Sequence, residues 1–293
     1  MSTRRFCEAT RTELDAIRFL QAKGVLRRNW QCKARCGNVH EKLYARRGSY
    51  FHSCAKCSEQ KWVTAGTWLH GARLTVIQVI DFVHSWCAGL KRAVLRRDSE
   101  ISSKVTSTDW ARFCREICVN ALLMLDGGVI GAPGHVIEVD ESKFSKKKYN
   151  RGRDLKKGWV FGGFDRTTKR CFFEFVEDRT ATTLLSIIQR RVARGSIIIT
   201  DEFRSYKRLS ELGYGHMTVN LSENFVDPVS RAHTQNIECC WGCLKRFLRS
   251  IGRNLGAHTG EYFSEYIYRQ RYSSDLEDQF WKDVAVQFPL ENQ

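Results

Sequence analysis

Val136-Ile137-Glu138-Val139-Asp140 opens the stretch, Val136 to Lys245, whose reading decides the fold. The apolar run ends on an aspartate. A second run, Ser196-Ile197-Ile198-Ile199-Thr200-Asp201, ends the same way. Short apolar runs of this kind read as buried strands, so both aspartates stand at strand ends. A third acid, Glu238, follows His233-Thr234-Gln235-Asn236-Ile237, where a helical pattern begins. Two strand-end aspartates and a helical glutamate that converge make a site for hard divalent cations.

Between these points the pattern is that of strands. Trp159 to Phe164 and Arg170 to Val176 are two more, with Asp165-Arg166-Thr167-Thr168-Lys169 as the turn that joins them. A helix from Thr180 carries Leu184, Leu185, Ile187, Ile188 and Val192, and Gly195 ends it. A short helix with Tyr206, Leu209 and Leu212 follows Asp201, and His216 to Asn220 is a fifth strand. The order strand-strand-strand-helix-strand-helix-strand-helix predicts an α/β, RNase H-like domain, a mixed sheet flanked by helices.

Past Glu238, the residues Ile237, Trp241, Leu244 and Leu248 form an apolar helical stripe. Lys245 lies two turns beyond Glu238 on the same face, where its ammonium reaches a phosphate near the metals or stays a surface charge. Cys239, Cys240 and Cys243 read as small packing residues rather than ligands. Directly after Asp140, Lys143, Lys146, Lys147, Lys148, Arg151 and Arg153 crowd around Phe144 and Tyr149. Such a run cannot pack as core. Beside an acidic site it reads as a DNA backbone contact, the alternative being a solvated loop.

Nearer the start, Cys32-Lys33-Ala34-Arg35-Cys36 and Cys54-Ala55-Lys56-Cys57 form two cysteine pairs. Each pair grips a metal from a tight turn, and four thiolates make a closed structural zinc site. His40 and His52, between the pairs, rank below the cysteines as ligands. Basic and aromatic residues interleave here, including Lys42, Tyr44, Arg46, Phe51 and Trp62. A zinc ribbon that contacts DNA has this composition, and so does one that contacts protein. Residues 8–22 read as a helix. Leu74 to Leu90 form another, and Ser107 or Thr108 is the expected N-cap of a third through Trp110, Phe113 and Ile117. This small bundle resembles a helix-turn-helix. Cys114 and Cys118 on it are expected to be core thiols. Gly127-Gly128 and Gly131-Ala132-Pro133-Gly134 make the linker.

The expected organisation is an N-terminal helix at 1–27, a zinc ribbon at 28–71 and a helical DNA-binding module at 72–129. The RNase H-like catalytic domain then takes 130–274 and a C-terminal tail 275–293. The chain has 293 residues and a formal net charge of +16, a balance suited to a polyanionic partner such as nucleic acid. The first residues lack the apolar core of a signal peptide, and no uninterrupted apolar run is long enough to span a bilayer. A soluble, intracellular protein without membrane contact is expected.

Several of these motifs together resemble the catalytic domain of the Merlin superfamily of cut-and-paste DDE transposases, which has bacterial insertion-sequence relatives. The motifs are Val136 to Phe144, Tyr149-Asn150-Arg151-Gly152-Arg153, Trp159 to Gly163, Thr200 to Tyr206, Val219-Asn220, Asn224 to Pro228, and His233 to Glu238 with Trp241 and Leu244-Lys245-Arg246. The resemblance spans about residues 30–272. Some bacterial relatives place Asn or His where this chain has Glu238, and keeping Glu238 sorts it with the Merlin-like branch. Cys239, Cys240 and Cys243 depart from the pattern.

The resemblance implies strand cleavage by water and strand joining by a 3′-hydroxyl at terminal inverted repeats. Asp140 bridges two Mg²⁺ (or Mn²⁺) ions, and Asp201 and Glu238 hold one each. It also implies double-stranded DNA as partner, both terminal repeat and target, and a homo-oligomer on the DNA. The place of action is the nucleus in a eukaryote, or the cytoplasm and nucleoid in a bacterium. Glu138 and Glu141 fall outside the acidic triad and are expected to be dispensable for activity. The rival reading is a domesticated, non-catalytic zinc-containing DNA-binding regulator derived from a transposase. A nuclease or resolvase of the same fold is a third.

Overall fold

The computed structural model describes residues 10–32, 36–144, 158–201, 203–219, 233–251 and 258–290. The chain divides into two compact units, Met1–Ile117 with Tyr272–Gln293, and Cys118–Arg271.

The second unit is built on a five-stranded sheet. Strands β6 (Val136–Lys143), β7 (Trp159–Asp165) and β8 (Cys171–Val176) form an antiparallel meander, while β9 (Ile197–Asp201) and β10 (Gly215–Val219) join β6 in parallel. The sheet order is β10-β9-β6-β7-β8. Helix α5 (Ala181–Arg191) supplies the return from β8 to β9, a connection that a parallel pair requires. Thr180 caps it, its hydroxyl accepting from the N–H of Thr183. Helices α6 (Gln235–Ser250) and α7 (Thr259–Arg271) complete this unit.

Both faces of the sheet are covered. Leu184, Leu185, Ile187 and Ile188 of α5 share one core with Ile137, Val139, Phe161 and Ile198. On the other face, Ile237, Trp241, Leu244 and Leu248 of α6 and Tyr262, Phe263 and Tyr266 of α7 pack with Val160, Phe164 and Phe173. This explains why β7 is buried along nearly its whole length rather than alternating. The expected stripe on α6 is the buried one.

Three local readings differ from expectation. The short helix after Asp201 is two 3-10 turns, Arg204–Tyr206 and Ser210–Leu212. Helix α4 (Lys104–Asp126) starts earlier than its expected N-cap. Ser103 accepts from the Thr106 N–H, and the Ser107 and Thr108 hydroxyls, within the helix, turn back to the Lys104 carbonyl. Residues 275–293, expected as a tail, hold helix α8 (Leu276–Gln287), whose Phe280, Trp281 and Val284 are buried.

In the first unit, α1 (Glu13–Ala22) caps its neighbour. The Glu13 carboxylate accepts the backbone N–H groups of Val76 and Ile77 at 2.7 and 2.9 Å, at the start of α2 (Val76–Cys87). Helix α3 (Arg92–Asp98) lies between α2 and α4 in sequence. Trp68 meets Trp110, Phe280 and Trp281 edge-on, so α8 completes an aromatic core here. The cysteine segment consists of a two-stranded piece, β1 (Trp30–Gln31) with β2 (Val39–His40). A three-stranded antiparallel sheet follows, β3 (Tyr44–Arg46), β4 (Ser49–Ser53) and β5 (Gln60–Trp62). Among the described residues, no helix is long and apolar enough to cross a membrane.

Candidate active site

Strand register brings the two aspartates together. β6 and β9 run parallel, with Ile137 opposite Ile198 and Glu138 opposite Ile199. Continued by two residues, the same register sets Asp140 beside Asp201, but only Asp201 ends its strand: β6 runs on through Glu141 and Ser142 to Lys143, so the expected strand-end position does not hold for Asp140. Neighbouring strands lie about 4.8 Å apart.

Helix α6 delivers the third acid, and three contacts fix how it lies on β6. At its N-terminus, Glu138 accepts the backbone N–H of Asn236 at 2.9 Å and of Ile237 at 3.0 Å. Further along, Trp241 Nε1 donates to Asp140 Oδ2 at 3.0 Å. Lys245 Nζ donates to Ser142 Oγ at 2.7 Å and sits 5.0 Å from the Phe144 ring centroid. Residues 138, 140 and 142 share one face of the strand, rising roughly 6.6 Å per pair, and four helical residues rise roughly 6 Å. The helix and strand therefore stay in step, and Glu238 is held in the turn between the Glu138 cap and Trp241.

Trp241 can lie there because of Gly162. That glycine is the cross-strand partner of Asp140, and a Cβ on it would come within 2.5 Å of the indole. The sequence reading placed Trp241 in an apolar stripe and in the resembling motif, and gave its indole no role at Asp140. A glycine pair inside a strand is a signal of close approach, and Gly162-Gly163 carried that signal.

Burial raises the Asp140 carboxyl to about 6, the Trp241 and backbone hydrogen bonds oppose the shift, and the charges of Asp201 and Glu238 raise it further. Asp140 thus senses both of the other acids. Among the described residues none of the three is paired with a cation. Among the described residues their oxygens do not stand at metal-binding spacing as the four cysteine thiols do, so a hard divalent ion would have to draw the three carboxylates together.

Glu138 and Glu141, expected to be dispensable, are built into the site. Glu138 is fully buried and also takes Arg166 Nε at 2.6 Å and Asn236 Nδ2 at 2.6 Å. Glu141 faces the opposite side of β6, where Tyr206 donates to it and Arg179 Nη1 stands 3.7 Å away. Arg179 in turn lies 4.0 Å over the Trp159 ring. Burial first, then the charges of Asp140 and Asp201, push Glu141 up to about 8.

These two shifts have a measurable consequence. Both folded values lie above the unfolded ones, so the metal-free fold holds protons that the unfolded chain releases. The resulting stabilisation is complete below about pH 4 and lost above about pH 8. The melting temperature of metal-free protein should therefore fall between pH 5 and pH 8, and added Mn²⁺ should recover it most at the higher pH. Glu141→Gln should flatten the dependence. A metal-free stability that rises over this window through these groups would overturn the assignment.

The second cluster is sulfur. Cys32, Cys36, Cys54 and Cys57 place their thiols within 4.8 Å of one another. The Cys32–Cys57 and Cys36–Cys54 sulfurs are 3.2 Å apart. Tetrahedral Zn–S bonds of about 2.3 Å would set sulfurs about 3.8 Å apart, so a small expansion admits the ion. Burial opposes ionisation of Cys54, yet the Cys36 thiol and backbone N–H groups of Cys57 and Lys56 bring it down to about 6. His40 and His52 are not part of this group, and His52 is buried.

Cys240 and Cys243 pack into the α6–α7 core beside Cys171, while Cys239 is exposed. Burial pushes Cys240 up to about 12, in keeping with a packing thiol, and among the described residues it belongs to no candidate metal group. Cys114 and Cys118 are buried, as expected. Lys143 ends β6, its ammonium 5.7 Å from the Trp159 ring. Lys146, Lys147, Lys148, Arg151 and Arg153, expected to contact DNA, lie outside the described residues.

Comparison with known proteins adds the following. Residues 126–271 match the family model described as an ISXO2-like transposase domain. An uncharacterized transposase-like protein of Haemophilus influenzae is 32% identical over 89 residues, covering 30% of this chain and 71% of the relative. Among solved structures, the integrase catalytic core of HTLV-2, in complex with magnesium, is similar at 14% identity with a TM-score of 0.31. That match covers 47% of this chain and 84% of the integrase chain. The catalytic core of BIV integrase is similar at 12% identity with a TM-score of 0.28, covering 55% of this chain and 87% of the other.

Proposed function

We propose that this chain, which belongs to the transposase family marked by the ISXO2-like domain, is a DDE transposase that cuts and joins DNA strands at terminal inverted repeats. The reading is supported by the parallel register of β6 and β9, which runs toward Asp140 and Asp201, and by the charges of Asp201 and Glu238 that act on Asp140. The sheet order supports an RNase H-like catalytic domain. The quoted motifs and Glu238 favour the Merlin-like branch.

Asp140, Asp201 and Glu238 would hold two Mg²⁺ or Mn²⁺ ions, which when bound activate the attacking oxygen and stabilise the leaving one. The protein's own residues set up that chemistry. Trp241 fixes the Asp140 carboxylate, and the buried Glu138 holds the helix that presents Glu238. Lys245, beside Ser142, offers an ammonium to a phosphate of the bound strand. The basic residues Lys143, Lys146, Lys147, Lys148, Arg151 and Arg153 would neutralise backbone phosphates. The expected modules at 28–71 and 72–129 would bind the terminal repeats, with the catalytic domain at 130–274. The enzyme would act as a homo-oligomer on double-stranded DNA, in the nucleus or the nucleoid.

The test is a labelled terminal-repeat duplex incubated with protein and Mg²⁺ or Mn²⁺. Metal-dependent nicking at the repeat end, followed by joining to a target duplex, is expected. Nicking without joining would indicate a nuclease. Binding without either would indicate a regulator.

The four cysteines would hold one structural zinc. Purified protein should carry about one zinc per chain. Cys54→Ser should lose it and weaken repeat binding while residues 130–272 stay folded. Metal analysis that finds no zinc in protein prepared without chelator would sink this.

A further inference from the structure

The three-stranded sheet next to the cysteine cluster carries a feature that zinc binding does not use. Tyr44 stands opposite Phe51, and Phe51 opposite Trp62, so the three rings form one row across β3, β4 and β5 on a single face. The Tyr44 and Phe51 rings are 6.0 Å apart at 28° to each other, and the Phe51 and Trp62 rings are 5.1 Å apart. Phe51 is 7% exposed, whereas Tyr44 and Trp62 each remain 40% exposed. Of the three rings only Phe51 is buried. The outer two rings keep large apolar surfaces in water, which folding does not require.

Cations border the row. Lys42 Nζ lies 5.2 Å from the Tyr44 ring centroid. Arg46 is on the same face one rung along and is exposed, as are Lys42 and Arg47. The nearby carboxylates are fewer: Glu41, and Glu59, which accepts from the Cys32 thiol at 3.1 Å. Flat rings on an open strand face, edged by lysine and arginine, match a ligand that alternates flat apolar faces with negative charge. Paired DNA hides its base faces inside the stack, so only an unpaired strand offers both.

We propose that the Tyr44–Phe51–Trp62 face is a binding site for unpaired bases of single-stranded DNA. Bases stack on the Tyr44 and Trp62 rings, and Lys42 and Arg46 meet the adjoining phosphates. The ammonium above Tyr44 marks the open ring face and moves to phosphate when a base takes its place. This site goes beyond the cutting and joining reaction and needs no metal at the acidic triad.

Fluorescence anisotropy with a labelled oligo(dT), on the full chain and without divalent metal, tests it. Parent protein should bind oligo(dT). Trp62→Ala and Tyr44→Ala should each weaken that binding about tenfold or more, the scale of lost base stacking, with a much smaller effect on a duplex. Trp62→Phe should recover most of the affinity, and unchanged zinc content in each variant shows the ribbon intact. Arg46→Gln should lower the slope of log K against log salt. No oligo(dT) binding by the parent, equal losses on duplex and single strand, or an oligo(rU) bound far more tightly than oligo(dT) would each overturn the proposal. A chain that binds oligo(dT) through Trp62 yet never cuts DNA would refute the transposase reading and leave this site standing.

Discussion

Asp140→Asn should lower strand cleavage and joining by at least about 10³-fold, the scale of removing one preorganised charge from a reacting phosphate. Binding to a terminal-repeat duplex should stay within about twofold of the parent, since the site is only one of many phosphate contacts. The substitution keeps shape, and the Asn carbonyl oxygen can still accept from Trp241 Nε1. What it removes is the charge that a metal pair would share. It also removes repulsion among three acids, the cause that helps lift Asp140 to about 6. The metal-free variant should therefore melt slightly higher than the parent at pH 8, and divalent metal should raise its melting temperature less. Three readouts on one variant separate chemistry from folding. Full metal-dependent cleavage by Asp140→Asn would sink the assignment of Asp140, whatever happens at Asp201 and Glu238.

That test was designable from sequence because strand ends are local. Val136 to Asp140 and Ser196 to Asp201 each announce a buried strand, and both strands form, but only β9 is closed by its acid, since β6 runs on to Lys143. The four cysteines were legible for the same reason, as spacing alone brings each pair to a turn. What sequence could not supply was pairing. Whether Asp140 meets Asp201 depends on the parallel register of β6 and β9, whose paired residues are 61 positions apart in the chain. Trp241 shows the same limit. Its position in an i, i+4, i+7 stripe says that it is buried, and it is, but the stripe is silent about where its N–H points. Residues 275–293 were read as a tail although Leu276, Phe280, Trp281 and Val284 fall at helical spacing. Their partners, Trp68 and Trp86, lie far back in the chain. Ser107 and Thr108 misled because capping residues also occur inside helices, where they bond back to the preceding turn.

Glu138 is the residue whose sequence reading the structure changes most, and Glu138→Gln should cost roughly 2–4 kcal/mol of stability. As an outsider to the acidic triad it looked replaceable. In the fold it is 0% exposed and accepts from four donors: the Asn236 and Ile237 backbone N–H groups, Asn236 Nδ2 and Arg166 Nε. Its negative charge sits at the positive end of α6, the helix that carries Glu238. Gln keeps the volume but turns one acceptor oxygen into an NH₂ group that faces donors, and it leaves Arg166 without a counter-charge, held only by the His233 carbonyl at 2.8 Å. Melting should drop by on the order of 5–15 °C. Activity per folded molecule should also fall, since α6 loses the contact that starts its register on β6. Glu211→Gln is the control, because its pair with Arg208 is exposed, at 65% and 69%, and should contribute little. If Glu138→Gln melts and cuts like Glu211→Gln, the buried cap does not position Glu238, and the site must be held by Trp241 and Lys245 alone.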